Sequence, residues 1–288
     1  MTDFAGKNVL ITGGARGLGR LIAERALDRG AQVVIWDMNQ ELLDQTVSEL
    51  GPRAFGYHVD ITEKERVYAM ADRVHEEIGG IEILINNAGI VTGESFLDLP
   101  DEMIEKTFEV NALSLFWMTR AFLPQMIQSG GGHIVTIASV AGLVGVEKLA
   151  DYCASKFAAV GFDESLRVAM KTDQTGVETT VICPYFINTG MFDGVQSRFP
   201  LLLPILEEED VADKTVEAIE KNRNKVVLPP IIRLVPLLRM LPTRAFDAIM
   251  SLFGVNSSMD TFDGHGKEEP NRQKLRKTSS SRGKKLYH

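Results

Sequence analysis

KNVLITGGARGLGRLIAERALDRGAQVVIWD, residues 7–37, decides how this chain folds. Lys7 to Thr12 is a short apolar, β-forming run that stops at Gly13. A glycine-rich turn follows and runs into an amphipathic helix pattern that ends near Gly30. AQVVIWD then reads as a second strand. Strand, turn, helix and strand make a βαβ unit. Gly13, Gly17 and Gly19 let the backbone turn tightly, approach a pyrophosphate and pack helix on strand. Phosphates would sit at the helix N-terminus, where free N–H groups and the helix dipole favour negative charge. The spacing is G-x-x-x-G-x-G rather than G-x-G-x-x-G, and a purely structural turn also needs glycines. Their place between strand and helix is what points to a dinucleotide, with Arg16 and Leu18 completing the loop.

Asp37 ends the second strand. A carboxylate there accepts from an adenosine ribose 2′-OH and repels a 2′-phosphate, which favours NAD over NADP. Arg16 pulls the other way, since a cation can meet a 2′-phosphate. A fixed carboxylate beside the phosphate outweighs one flexible arginine.

Outward from this unit the alternation continues. Strands are expected at 54–61, 81–90, 132–139, 177–184 and 225–229. Helices are expected at 39–50, 63–78, 102–129, from about 152 to 170, and at 208–222. That pattern predicts an α/β fold: a doubly wound parallel sheet of about seven strands with helices on both faces. In such sheets ligands bind beyond the carboxyl ends of the strands. Asp37, Asp60 with Ile61 after it, Asn86, Ser139 and Pro184 are all expected at such ends. Asn87, Ala88 and Gly89 form the turn after the fourth strand, where Gly89 leaves room for a ligand. Thr189 lies in a loop that can close over a nicotinamide. Asn111 falls inside a helical stretch, either tolerated there or breaking the helix locally to hold a water.

The chemistry is expected in SVAGLVGVEKLADYCASK, residues 139–156. Tyr152 and Lys156 are four apart and share a helix face. An ammonium beside a phenol favours the phenolate. A Ser139 hydroxyl can bond the same substrate oxygen, so the three can move a proton between an alcohol and a carbonyl.

Composition narrows the partners. The 288 residues carry a net charge of −8 and 44% hydrophobic residues. Residues 265–288 hold eight Lys/Arg against two Glu, so the body is more acidic than the total suggests. An acidic body argues against nucleic acid. Two cysteines in apolar surroundings suggest reduced thiols and a cytoplasmic setting. Five His and two Cys form no ligand-spaced cluster, so no metal is expected. No signal peptide or spanning apolar run is evident. Residues 1–264 are expected to be one domain with an apolar extension at 229–264, and 265–288 a disordered basic tail. Residues 191–206 suggest a lid or substrate wall. The segment 229–254 has three arginines, and its prolines forbid one continuous helix. It can wall an apolar pocket or subunit contact, or, with the tail, lie on a membrane surface.

Together TGGARGLG, NNAG, Asn111, Ser139, YCASK and the Pro184 loop resemble the short-chain dehydrogenase/reductases across about residues 5–228. VIWDMN, NNAGIVTG, PDEMIEKTFEVNA, DYCASKFAAVGF and CPYFINTGMF resemble the retinol and 17β-hydroxysteroid dehydrogenase branch. The resemblance implies Tyr152 as catalytic acid/base. It implies that Lys156 lowers its pKa and holds the nicotinamide ribose, that Ser139 orients the substrate oxygen, and that Asn111 positions a water in a proton relay. It also implies large apolar alcohols as substrates and a homodimer or homotetramer. The expected function is therefore NAD-dependent interconversion of a lipophilic alcohol and its carbonyl. An NADPH-dependent carbonyl or 3-oxoacyl reductase and a non-catalytic dinucleotide-binding protein remain as alternatives.

Overall fold

The computed structural model describes residues 1–192, 194–255, 259 and 262. Seven strands form one sheet: β1 (Asn8–Thr12), β2 (Gln32–Asp37), β3 (Ala54–His58), β4 (Ile83–Asn86), β5 (Gly132–Ile137), β6 (Val177–Pro184) and β7 (Lys225–Leu228). Their order is β3-β2-β1-β4-β5-β6-β7, and every neighbouring pair is parallel. The central strands read as near-continuous apolar runs because both sheet faces are covered. Side chains alternate between the faces. Val9, Ile11, Val33 and Ile35 pack into one core, and Leu10, Val34 and Trp36 into another.

The first of these cores is closed by α1 (Gly17–Asp28), α2 (Gln40–Leu50) and, from far along the chain, α7 (Glu208–Glu220). Asn39 starts α2 by accepting the Leu42 N–H at 3.0 Å, the expected N-cap bond. The opposite core is closed by α3 (Lys64–Glu77), by α5 (Ser114–Gln128) and by α6 (Ala150–Thr172), with α4 (Asp101–Phe108) packed against α6. A third apolar cluster joins the start of α6 to β6, β7 and the C-terminal segment. Strand order reverses between β1 and β4, which opens a crevice at their carboxyl ends.

Several elements end earlier than their sequence patterns suggest. β3 stops at His58, because Asp60 turns back to accept from the Thr62 N–H and hydroxyl. β4 stops at Asn86, because the Asn87 N–H donates to the Thr12 hydroxyl instead of continuing the ladder. β5 stops at Ile137, two residues before Ser139. The single helix expected over 102–129 is interrupted by a π-helical turn, Glu109–Leu113, between α4 and α5. The prolines act as anticipated beyond β7. A 3₁₀ turn (Pro230–Leu234), the short α8 (Val235–Leu238) and α9 (Thr243–Leu252) replace a continuous helix. The anticipated basic tail, 265–288, lies outside the described residues. Among the described residues no helix is long and apolar enough to cross a membrane.

Candidate active site

The glycine loop sits at the carboxyl end of β1. Gly13 and Gly17 have φ of +63° and +54°, a region that side chains disfavour. Gly19 is forced by space instead: a Cβ there would lie 2.3 Å from the Gly13 carbonyl oxygen. Arg16 precedes α1 without a side-chain cap, and the first turn of α1 holds no acidic residue. The first N–H groups of a helix lack intrahelical partners, so this end suits an anion. Asn87 is a bolt for this loop. Its Nδ2 donates to the Thr12 and Gly13 carbonyls at 3.0 Å each, and its own N–H donates to Thr12 Oγ1. The Ala88 N–H joins the same Thr12 hydroxyl.

Asp37 is fixed from two sides. Its Oδ2 accepts the Ala15 N–H at 3.1 Å and its Oδ1 accepts the Asn39 N–H at 3.0 Å. Asp60 is held by Thr62 and by Lys106, whose Nζ lies 3.5 Å from Oδ2. Burial pushes the Asp60 carboxyl up, but the Thr62 hydrogen bonds and the Lys106 ammonium hold it below its ordinary value. Leu18 and Ile61 are placed differently from the rest: both side chains pack into the cores, so only their backbones are left to face a ligand. Thr189 Oγ1 accepts the Met191 N–H at 3.2 Å, shaping the loop after β6.

Ser139, Tyr152 and Lys156 come together as their spacing suggests. Ser139 Oγ accepts the Ala141 N–H at 3.1 Å and donates to the Pro184 carbonyl at 3.4 Å. Lys156 Nζ donates to the Ile137 carbonyl at 2.9 Å and lies 5.7 Å from the Tyr152 ring centroid. Tyr152 is 5% exposed and Lys156 4%. Their electrostatics differ from the expectation. Burial raises the Tyr152 phenol well above its ordinary value, and the Ser139 hydrogen bond opposes this. Burial also pulls the Lys156 amine down to about 8, with Cys183 opposing. Within the chain's own groups, then, desolvation outweighs any acidification of the phenol by the amine. Gly89 sits against this cluster, since a Cβ there would lie 3.3 Å from Asn111 Oδ1 and 3.4 Å from Lys156 Nζ.

Asn111 does break its helix, lying within the π turn. Its Oδ1 accepts the Ile90 N–H at 2.8 Å, and its Nδ2 donates to the Ile90 carbonyl at 2.9 Å and to Ser155 Oγ at 3.1 Å. The side chain is thus spent on tying the β4 loop to α6.

Beyond Tyr152 and Ser139 opens a cavity of about 250 Å³. Its walls are apolar side chains from three stretches, among them Tyr185, Phe186, Leu203, Val235 and Met250. Phe192 meets the Tyr152 ring edge-on at 6.0 Å. The sequence pointed to the 191–206 and 229–254 stretches as walls but not to Tyr185, Phe186 or Lys106. The two aromatics directly after Pro184 were the one available signal for the first pair.

The cradle at α1, the fixed carboxylate at β2 and the crevice between β1 and β4 fit a nicotinamide dinucleotide. The comparisons agree. Residues 7–198 match the family model for short chain dehydrogenase. Epidermal retinol dehydrogenase 2 of Mus musculus is 45% identical over 92% of this chain and 88% of its own length. A short chain dehydrogenase/reductase from Burkholderia phymatum, solved in complex with NAD, superposes with a TM-score of 0.76 at 30% identity, covering 83% of this chain and 95% of that one. A metagenomic short-chain oxidoreductase in complex with NADP gives 0.66 at 25% identity, covering 78% and 97%. The chain therefore belongs to the short-chain dehydrogenase family, within the branch that includes the retinol dehydrogenases, and is an NAD(P)-dependent oxidoreductase acting on alcohols.

Proposed function

We propose that this enzyme interconverts a lipophilic alcohol, of retinoid, steroid or long-chain type, and its carbonyl with NAD. The apolar cavity that ends at the Tyr152 and Ser139 hydroxyls carries the reading. Such a wall rewards burial of hydrocarbon at about 25 cal/mol per Å² and offers polar partners only where the reacting oxygen would sit. The retinol dehydrogenase name of a 45% identical relative points the same way.

The bound nicotinamide ring supplies the hydride acceptor or donor, and the chain's residues handle the proton. Ser139 orients the substrate oxygen. Tyr152 takes the hydroxyl proton during oxidation and returns it to the carbonyl oxygen during reduction. Lys156 contacts the ribose, and with its pKa drawn to about 8 it exchanges protons near neutrality. Asn111 fixes the loop from Gly89 to Ile90 against α6, and a water near its π turn completes a path from Lys156 outward. Gly13, Gly17, Gly19 and the N-terminus of α1 hold the pyrophosphate. Asp37 takes the adenosine ribose, Asp60 the adenine side, and Thr189 the nicotinamide side.

Two backbone N–H groups clamp Asp37, so its carboxylate is not free to swing away from an incoming 2′-phosphate. That supports NAD. Exposed Phe116 and Ile127 on α5 and Phe157 and Val168 on α6 support a homo-oligomer. Exposed Leu237 and Met240 around Arg239 support peripheral membrane contact. Both cysteines are unpaired, which supports a reducing, cytoplasmic setting. We take residues 1–264 as one catalytic body.

The test is a panel of retinoids, steroids, long-chain alcohols and short polar alcohols, followed by absorbance of the reduced cofactor, with NAD and NADP titrated separately. Turnover of apolar alcohols and tighter NAD binding are expected. Preference for short polar alcohols refutes the substrate class, and tighter NADP binding refutes the cofactor assignment.

A further inference from the structure

Tyr152 and Lys156 occupy one face of the first turns of α6. The neighbouring face, Asp151 and Ser155, is also an i, i+4 pair and points into the protein. Asp151 is 4% exposed and Ser155 is fully buried. Opposite them lies another pair four apart, Thr107 on α4 and Asn111 in the π turn. The pairs meet rung by rung. Thr107 Oγ1 donates to Asp151 Oδ2 at 2.8 Å, and Asn111 Nδ2 donates to Ser155 Oγ at 3.1 Å. Each rung also grips the loop after β4. Thr92 Oγ1 lies 2.9 Å from both Asp151 carboxylate oxygens, while Asn111 holds Ile90 through its N–H and carbonyl. Ser155 Oγ closes the set by donating to the Tyr152 carbonyl at 2.8 Å.

Asp151 is the unusual member. A carboxylate in the first turn of a helix ordinarily faces water and answers the dipole. Here it is buried, and Thr92 and Thr107, which grip it, are 3% and 0% exposed. Burying a carboxylate is costly unless it is well hydrogen-bonded, so its place calls for a role. An acceptor-only group suits two hydroxyl donors arriving from different segments: it draws both inward and offers no hydrogen of its own to misalign them. The residue so fixed is directly bonded to Tyr152.

We propose that Asp151 is a positioning residue for proton transfer. With Thr92 and Thr107 it sets where the first turn of α6 sits against the β4 loop, and therefore where the Tyr152 hydroxyl sits relative to Ser139 and the Lys156 amine. Losing the rung leaves the glycine loop and Asp37 intact. The effect falls on the chemical step and spares the binding of the dinucleotide. The inference rests on Tyr152 being the acid/base.

The experiment compares full-length wild type with D151N, D151A, T107V, T107S and Y152F. It reads kcat, KM and the pH profile of kcat with a long-chain alcohol, NAD affinity by fluorescence titration, and the folded fraction by thermal melting. D151N is near-isosteric and keeps the site folded if D151A does not. For D151N we expect a fall in kcat of about tenfold or more, a displaced pH profile, and NAD affinity within about threefold of wild type. T107V is expected to fall in the same direction, with T107S restoring most of the rate because it keeps the hydroxyl. Unchanged kcat and pH profile in D151N overturn the proposal. So does a loss of rate that the unfolded fraction accounts for. Y152F separates the two readings: if it retains turnover, Tyr152 is not the acid/base, whereas a dead Y152F beside a fully active D151N removes Asp151 alone.

Discussion

Replacing Asp163 by Asn should make the protein more stable, and by an amount that grows with pH. Asp163 lies on α6, one helical stretch beyond Lys156, and is 2% exposed. Its Oδ1 is buried without a hydrogen-bond partner. Burial pushes its carboxyl from 3.8 up to about 7, against opposition from Arg167, the nearby Thr179 hydroxyl and Lys225, while Glu164 adds to the rise. Between those two values the folded state keeps the proton and the unfolded state loses it. Stability therefore falls by about 1.4 kcal/mol per pH unit across that window and is constant above it. Wild type partly hides this. His133 is buried between Thr2 and Thr180, and its pKa falls from 6.5 to about 4 through burial and, secondarily, the N-terminal ammonium. A depressed histidine stabilises above its unfolded pKa and loses that stability as pH falls from 6.5 toward 4. The two slopes nearly cancel between pH 4 and 6.5. The informative quantity is the difference between D163N and wild type, which removes His133 and every other unchanged group. From pH 5 to 7 this difference is predicted to rise by about 2 kcal/mol, then to level off by pH 8. Urea denaturation at pH 5, 6, 7 and 8 and one protein concentration measures it. A difference that does not change with pH would refute a neutral buried Asp163.

Two further outcomes follow from the site. Gly19→Ala should abolish dinucleotide binding and cost on the order of 1–3 kcal/mol in stability, because the new methyl collides with the Gly13 carbonyl and with Asn87 Nδ2 at 2.6 Å. Calorimetric titration of NAD and a thermal melt check both, and wild-type affinity would mean the loop can open. Leu238→Trp narrows the cavity from its α8 wall. It should raise KM for the longest alcohols by about tenfold, roughly 1.4 kcal/mol, while leaving short ones near wild type. Equal loss for all lengths would place the substrate elsewhere.

What the sequence made legible was what local pattern alone specifies. Gly13, Gly17 and Gly19 fall between a strand and a helix in one continuous stretch, so turn and cradle could be read together. Tyr152 and Lys156 needed only the helical repeat to share a face. Asn111 was legible as an alternative, and its helix does break there. The lost information is of two kinds. One is which way a side chain turns at an element's edge: Leu18 and Ile61 lie in the loops expected to hold the cofactor, and their side chains pack into the cores. The other is burial of charge. Asp151 reads as an ordinary first-turn acid, and only the arrival of Thr92 and Thr107 from 59 and 44 residues away makes it an interior group.

Burial also changes how the Tyr152–Lys156 pair must be understood. From spacing, the amine acidifies the phenol. In the fold, the same desolvation acts on both and drives them in opposite senses, because each group's neutral form is favoured: the phenol keeps its proton more firmly, and the amine gives one up more easily. The amine, at about 8, is thus the member of the pair nearer to exchanging protons at neutral pH, while the phenol stays protonated. Moving a proton to or from Tyr152 near neutral pH therefore requires positive charge beside it beyond what Lys156 brings, since the Lys156 amine donates to the Ile137 carbonyl. The protein supplies a buried, fixed geometry, and the charge of what binds beside Tyr152 sets how readily the phenol gives up its proton.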